Sequence, residues 1–356
     1  MSYGKRRRTG YDPASIQEYT FPIENIPRLS ARDPEVYRLI QASRPVVISD
    51  SGLINSALKW NLGYLQENLG DGSFHVYGSK DNRFKYYDEK RAKQCKSFPK
   101  PVKRYEVSFN DFLKMLMEKK NTRERIYLQQ MLNESVGQEI VKDYVDFNWD
   151  WVGRIQNEQG WGPLSSNLLL IGLEGNITPV HYDEQENFFS QISGYKRCLL
   201  FSPDQFENLY PHPVAHPCDR QSQVDFSKPD FERFPKFRNA RAMEAIVGPG
   251  DVLYIPMYWW HQVESLKSLS PIDHKLRDFS TTTSSGSSGD IPPVTVSVNF
   301  WYRAAPLPAT VKFPISAQQR VSVMRNIEKL LASALGSADE VGKLLSTMVD
   351  GRYNEE

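Results

Sequence analysis

Cysteine, net charge and long apolar runs are scarce in this 356-residue sequence. Its three cysteines, Cys95, Cys198 and Cys218, are odd in number and form no metal-binding pairs, which excludes a disulfide framework and a cysteine-rich zinc site. The 44 basic and 43 acidic residues give a net charge of +1. This balance removes any global electrostatic argument for binding nucleic acid or a membrane, so we expect neither partner.

No apolar run is long enough to span a bilayer, and no signal peptide is evident. Together with the few cysteines, this predicts a reducing intracellular compartment, the cytoplasm. The basic residues 5–8 could act as a nuclear localisation patch, which makes the nucleus a second expected location.

The 40% hydrophobic content is enough for one large core with an appendage. Residues 1–18 predict a disordered basic tail, and residues 19–314 a single β-rich domain. Within that domain, the Ser/Thr-rich residues 266–293 predict a flexible insert in a hairpin, without a domain boundary. Residues 315–356 predict two amphipathic helices, the first capped by Ser316 and ended by Gly336.

The most informative motif is His181-Tyr182-Asp183, which follows a buried strand at 168–172. A third metal ligand, His261, comes after a Pro-Gly-Asp turn and a strand that we expect to end at this histidine. Two histidines and one carboxylate form a facial triad for Fe(II) that leaves room for a cosubstrate and dioxygen. The spacing suits a jelly-roll barrel in which the two ligand-bearing strands are neighbours. Zinc is the alternative metal, although no glutamate stands beside a ligand as in zinc hydrolases.

Lys196 distinguishes these alternatives, because it lies in the apolar strand 195–201, which we expect to pair with 188–192 as a hairpin. A lysine inside a barrel needs an anion, and the distal carboxylate of 2-oxoglutarate provides one, with hydroxyls from Tyr127 and Thr178 completing the cradle. The other possibility is that Lys196 faces solvent and Arg197 points inward. Alternation also puts Tyr127 and Gln129 on one face, as pocket residues or as a structural tyrosine with a solvated glutamine.

The sequence resembles the Jumonji-C oxygenases, and within them the asparaginyl hydroxylases that act on hypoxia-inducible factor. The resemblance runs from about residue 20 to the end. It is carried by the segments 57–60, 86–90, 127–130, 178–196, 216–225, 247–261, 298–302 and 351–354.

The resemblance implies a double-stranded β-helix that uses Fe(II), 2-oxoglutarate and dioxygen. It assigns three sets of residues. His181, Asp183 and His261 would bind iron; Tyr127, Thr178, Asn187, Lys196 and Asn299 would bind 2-oxoglutarate; and Tyr86, Gln129, Asp183, Gln185, Arg220, Gln221 and Trp301 would bind the target asparagine and its backbone.

The implied reaction is hydroxylation of the β-carbon of asparagine in the C-terminal transactivation segment of hypoxia-inducible factor α and in ankyrin-repeat proteins, as part of oxygen sensing. The two final helices match a dimerisation element, with Leu331, Leu344 and Leu345 in the homodimer interface. The competing hypotheses are a lysine demethylase and a catalytically silent scaffold that binds ankyrin repeats. Two departures from the resemblance, the insert 266–293 and Pro163 beside the substrate path, affect the expected substrate range more than the chemistry.

Overall fold

The computed structural model describes residues 10–95, 97–119, 122–132, 137–270, 292–306 and 312–350. Residues 5–8 of the predicted basic tail, most of the Ser/Thr-rich insert and the motif 351–354 lie outside these ranges. In the described part of the chain, no helix is both long and apolar enough to cross a membrane.

The chain is mainly β, and its strands form two sheets. The strands are β1 (Ile23–Asn25), β2 (Arg28–Ser30), β3 (Val46–Ser49), β4 (Phe74–Ser79), β5 (Val102–Val107), β6 (Arg125–Met131), β7 (Leu164–Leu173), β8 (Ile177–Tyr182), β9 (Glu186–Ser193), β10 (Tyr195–Phe201), β11 (Ala242–Val247), β12 (Val252–Ile255), β13 (Trp260–Leu266) and β14 (Val294–Tyr302). The smaller sheet has the order β1-β11-β10-β13-β8, and the larger one β2-β3-β12-β9-β14-β7-β6-β4-β5.

Strands β7 to β14 form a jelly roll, which confirms the predicted fold class. Four of them, β12-β9-β14-β7, lie side by side in the larger sheet, and the other four, β11-β10-β13-β8, in the smaller one. Except for β10 and β11, which pair with each other, strands that follow one another in sequence therefore lie in different sheets. All eight residues of β9 are buried, as expected for a strand that is covered on both faces.

Two predicted hairpins are wrong for this reason. Strand β9 pairs with β12 and β14, whereas β10 pairs with β11 and β13, so the chain changes sheets at Gly194. Gly194 has φ +72°, and a Cβ there would lie 2.9 Å from the Thr295 side chain, which favours glycine at this crossing. Likewise, β13 and β14 flank the insert 266–293 but belong to different sheets, so the insert does not lie in a hairpin.

Helices flank the barrel at both ends of the sequence. They are α1 (Pro34–Gln41), α2 (Leu62–Asn68), α3 (Glu89–Gln94), α4 (Phe109–Lys119), α5 (Gln138–Val145), α6 (Trp149–Glu158), α7 (Ala317–Leu335) and α8 (Val341–Asp350). A capping box between Ser316 and Gln319 starts α7, and Gly336 ends it in the left-handed conformation, as the sequence predicts.

Candidate metal and ligand site

The antiparallel pairing of β8 with β13 brings the three predicted metal ligands together. His181 is directly opposite His261 in this pairing, and Asp183 follows β8 immediately. One ligand atom from each of the three side chains lies within 4.8 Å of the others. His261 is the second residue of β13, so the expectation that a strand ends at this histidine is wrong, because a turn separates β12 from β13.

Each imidazole is oriented by a carbonyl of its own chain. The Nδ1 of His181 donates to the carbonyl of Pro179 at 2.9 Å, and the Nδ1 of His261 donates to that of Trp259 at 3.1 Å. Because a carbonyl only accepts, these bonds place the proton on Nδ1 and leave the Nε2 lone pair free for a metal. Burial, reinforced by the neighbouring His261, lowers the pKa of His181 to about 4, which keeps the ring neutral.

Two donors fix the Asp183 carboxylate. Arg220 donates to its Oδ1 at 3.2 Å and the Trp301 indole donates to its Oδ2 at 3.1 Å. Burial alone would raise the pKa of Asp183, but the neighbouring His261 and His181 rings, the Arg220 guanidinium and the Trp301 indole hold it below its usual value. The donor set is therefore two imidazole nitrogens and one carboxylate, which fits a divalent iron with open positions.

Two non-glycine residues beside the ligands have positive φ values. They are Arg220 at φ 68° and Tyr258 at φ 65°, a conformation that is costly for residues with a Cβ. The carbonyl of Arg220 accepts from the N–H of Tyr182, and the N–H of Tyr258 donates to the carbonyl of Asp183 at 2.8 Å. These turns fix the backbone on both sides of the ligands.

The triad opens into a cavity of about 240 Å³. Most of the predicted site residues line it: Tyr86, Tyr127, Gln129, Thr178, His181, Asp183, Asn187, Arg220, Gln221, His261, Asn299 and Trp301. Apolar residues that the sequence analysis missed complete the wall, among them Phe84, Leu168, Leu170, Phe189, Ile255 and Val263. Their positions in strands could have indicated burial, but not which strand face meets the metal.

Lys196 faces the barrel interior and is fully buried. Its Nζ donates to the Tyr127 hydroxyl at 3.1 Å and lies 5.2 Å from the centre of the Phe189 ring. Among the described residues it has no carboxylate partner. Burial therefore lowers the pKa of Lys196 to about 7. A buried ammonium without a counter-ion favours an anionic ligand.

Arg197 points to the opposite, outer face of β10 but is also buried, with only 3% of its surface exposed. It forms ion pairs with Glu244 at 2.7 Å and Glu264 at 3.5 Å, and donates to the carbonyl of Gln17 at 2.6 Å. The two cations therefore face opposite sides of β10, and Arg197 is buried because the N-terminal segment at Gln17 and Tyr19 covers the outer face of the strand.

Unpaired amide atoms surround the same cavity. Both polar atoms of the Asn187 side chain, the Oδ1 of Asn299 and the Oε1 of Gln221 are buried without a hydrogen-bond partner in the described part of the chain. Buried polar atoms are nearly always paired. Three of these atoms are amide oxygens that accept hydrogen bonds, and the Nδ2 of Asn187 donates them, so together with Lys196 they fit a polar ligand that offers both acceptors and donors.

The predicted substrate residues divide into two groups. Tyr86, Gln129 and Gln221 form a hydrogen-bonded group, in which Gln129 donates to the Tyr86 hydroxyl and Gln221 to the Tyr86 carbonyl. Gln185, in contrast, is not among the residues that line the cavity, and its side chain donates to the Ser165 hydroxyl. The structure therefore does not bring Gln185 together with the others.

Arg325 of α7, which no sequence motif marks, contacts the segments around the triad. The guanidinium of Arg325 is 3% exposed and contacts Asp219 at 2.7 Å, Glu184 at 2.7 Å and the Tyr182 hydroxyl at 2.6 Å. Tyr182 and Glu184 flank Asp183 in sequence. No local pattern distinguishes Arg325 from the other polar residues of an amphipathic helix.

The two final helices leave apolar side chains in solvent. Val321 and Val341 are buried, whereas Met324, Ile327, Leu330, Leu335 and Met348 are 37–67% exposed. The predicted interface residues Leu331, Leu344 and Leu345 are half-buried. Such a surface on one copy of the chain has more apolar area than a solvated helical hairpin requires.

Comparison with known proteins gives one family match. Residues 34–307 match the profile of the family described as cupin-like domain. JmjC domain-containing protein D of Dictyostelium discoideum is 45% identical over 96 residues, which cover 27% of this chain and 21% of that protein.

Two further relatives have different names. Lysine-specific demethylase 8 of Danio rerio is 40% identical over 97 residues, 27% of this chain and 24% of that protein. The tRNA wybutosine-synthesizing protein 5 of Gallus gallus is 28% identical over 227 residues, 62% of this chain and 66% of that protein. The matched segments thus span about a quarter or less of the first two relatives.

Proposed function

The chain belongs to the cupin-like family, and on that premise we propose that it is a JmjC-type, Fe(II)- and 2-oxoglutarate-dependent hydroxylase that acts on the β-carbon of asparagine in proteins. The observation that carries this proposal is the combination of the His181-Asp183-His261 triad with a buried, unpaired Lys196 in one barrel. The first fits iron, and the second fits the distal carboxylate of the cosubstrate.

The chain's own residues bind and orient the reactants. Lys196 and the Tyr127 hydroxyl would hold the distal carboxylate, with Thr178 beside them. The unpaired Nδ2 of Asn187 would donate to the cosubstrate, and Asn299 would line the same pocket. Arg220 and Trp301 keep the Asp183 carboxylate in place. Iron supplies the oxidative chemistry when bound, while the protein positions the substrate and excludes water.

A neutral carboxamide fits the cavity mouth better than a cation. The carboxylates that line it are Asp183, a metal ligand, and Asp219, which is already paired with Arg325 and Arg91. An approaching methylated lysine would therefore find no free counter-charge there. Gln129, Gln221 and Tyr86 instead offer amide and hydroxyl groups that can pair with an amide.

By its resemblance, the chain would act on the C-terminal segment of hypoxia-inducible factor α and on ankyrin-repeat proteins, in oxygen sensing. It would work as a homodimer that buries the apolar surface of α7 and α8, including Leu331, Leu344 and Leu345. A lysine demethylase is the second candidate, because relatives carry the names lysine-specific demethylase 8 and lysine-specific demethylase JMJ30.

Mass spectrometry after incubation with Fe(II) and 2-oxoglutarate tests the proposal. Peptides from the hypoxia-inducible factor segment and from an ankyrin repeat should each gain ~16 Da on asparagine, as expected for oxygen insertion. A methyl-lysine peptide should stay unchanged. Loss of a methyl group from lysine without oxidation of asparagine would favour the demethylase. If no peptide reacts and no 2-oxoglutarate is consumed, the scaffold hypothesis gains.

A further inference from the structure

A second, larger cavity adjoins the active-site cavity and has a strongly basic lining. Its volume is about 470 Å³, and its lining comes from β8, from the β4-β5-β6 end of the larger sheet and from residues 222–227. Pro179 lines both cavities. Ser222 and Lys85 of its wall directly follow or precede Gln221 and Tyr86 of the active site.

Seven cationic side chains and three carboxylates line this cavity. Two of the cations are paired locally, since Arg83 contacts Asp225 at 2.7 Å and Lys119 contacts Glu124. The others form no ion pair within the described residues: Lys80, Lys85, Lys100, Lys103 and Arg125. The cavity therefore keeps an excess of positive charge that the protein itself does not neutralise.

Lys85 is the least easily explained of these cations. Its Nζ lies 3.1 Å from the Nε2 of His212 and 3.5 Å from the carbonyl of Ser222, with no acid beside it. Burial holds the pKa of Lys85 below its usual value. The exposed Lys103 on the edge strand β5 can be explained as protection against strand pairing, but a partly buried lysine in the cavity wall cannot.

We infer that this cavity binds acidic side chains of the protein substrate, a few residues from the modified position. The inference rests on the proposed function and adds a requirement on the substrate: glutamate or aspartate a few residues from the target asparagine. Lysines act as point charges that accept carboxylates in many geometries, whereas fixed bidentate recognition favours arginine. The apolar walls around Val102, Ile126 and Phe226 strengthen such charge pairs by reducing their contact with water.

Fluorescence anisotropy with the full chain measures how tightly acidic peptides bind. Two labelled peptides share a central asparagine, and one carries glutamates where the other carries glutamines. The acidic peptide should bind more tightly, and the difference should shrink as ionic strength rises toward about 0.15 M, because salt screens exposed charges. Equal binding of the two peptides at low salt would overturn the inference.

Two double charge-reversal variants, one at the cavity and one elsewhere on the surface, test whether the cavity is the binding site. Lys100→Glu combined with Lys103→Glu alters two exposed residues and should weaken acidic-peptide binding by roughly 10-fold, while the neutral peptide is unaffected. Lys236→Glu combined with Lys343→Glu changes the net charge equally at exposed positions that do not line the cavity, and should leave both peptides unaffected. Equal weakening by the two pairs would contradict a specific site.

Two further outcomes separate this inference from the proposed function. Hydroxylation that is equally efficient on both peptides would leave the proposed function standing and overturn the cavity's role. Tight, charge-dependent binding of a peptide that is never oxidised would support the cavity's role and overturn the proposed function. If single-stranded RNA displaces the acidic peptide more effectively than unlabelled peptide does, the cavity is a nucleic-acid site and the inference is wrong.

Discussion

The inside of the barrel and the junction of α7 with the barrel each bury a cation, but they treat it differently. At the junction, Arg325 contacts two carboxylates and a tyrosine hydroxyl. In the barrel, Lys196 contacts one neutral hydroxyl. Buried charges are usually paired, and an unpaired one is costly. The junction is therefore complete in the free protein, whereas the barrel becomes complete only with an anion.

The polar side chains near each cation follow the same division. Around Arg325, Asp219 also contacts Arg91 at 3.1 Å and Glu184 also contacts Lys329 at 3.4 Å. Around Lys196 and the triad, Asn187, Asn299 and Gln221 keep unpaired atoms. Satisfied groups stabilise the fold, and unsatisfied ones mark where a ligand binds. Substitutions in the two regions should thus change different measurements.

The largest effect is expected at the metal. Asp183→Ala removes the only anionic ligand of the triad and leaves Arg220 and Trp301 without their acceptor, so turnover should fall to background and iron binding should weaken. Turnover assays and titration with Fe(II) check this. Asp204→Ala, at an exposed turn, is the control and should stay active. Full activity of the Asp183 variant would overturn the triad assignment.

The next effect concerns the outer face of α7 and α8. A buried leucine contributes roughly 2 kcal/mol, and a two-fold interface counts each substitution twice. Leu345→Arg should therefore convert the proposed dimer into monomers, as measured by sedimentation. Lys343→Glu, at an exposed position on the same helix, should remain dimeric. A wild-type chain that is monomeric at micromolar concentration would rule the interface out.

Arg325→Met should destabilise the fold by about 3 kcal/mol, because it leaves Asp219 buried without its main counter-charge. The free energy of unfolding in urea measures this. Lys329→Met removes a half-exposed cation from the same helix and should cost far less. If the two variants are equally stable, the junction contributes less than its contacts indicate.

Lys196→Met should have the opposite stability effect, since it removes an unpaired buried charge. The free protein should be as stable as wild type or more so. The KM for 2-oxoglutarate should rise by a factor of roughly 30, which corresponds to about 2 kcal/mol of lost binding energy, while the KM for peptide changes little. Kinetics in both substrates and urea unfolding check this. Equal changes in KM for both substrates, or marked destabilisation, would show that Lys196 stabilises the fold, as Arg325 does, and does not bind the cosubstrate.

The sequence predicted the barrel interior better than the junction. His181, Asp183 and His261 carry a recognisable motif, and Lys196 stands out in an apolar strand. Arg325 and Asp219, in contrast, are 106 residues apart, and nothing local shows that they meet. The hairpin errors have a similar cause, because the residues around Gly194 allow a tight turn but do not determine which strand β10 pairs with. Gln185 shows that a resemblance assigns a residue without fixing the direction of its side chain.

The smallest expected effect is the uptake of a proton by Lys196, and it distinguishes Lys196 from Arg325 most directly. Burial lowers the pKa of Lys196 to about 7 in the free protein, below the ~10.4 of an unfolded lysine. The native state therefore binds fewer protons than the unfolded chain between these values, and the stability of the free protein should rise with pH across that range.

A carboxylate placed against the Nζ of Lys196 favours the charged form and raises this pKa again. At about pH 8, binding of 2-oxoglutarate should then take up close to one proton. Calorimetry in buffers with different ionisation enthalpies measures this number. Lys196→Arg is the control, since a guanidinium stays charged and should take up none. Equal uptake by the wild type and this variant would show that the proton belongs to another group.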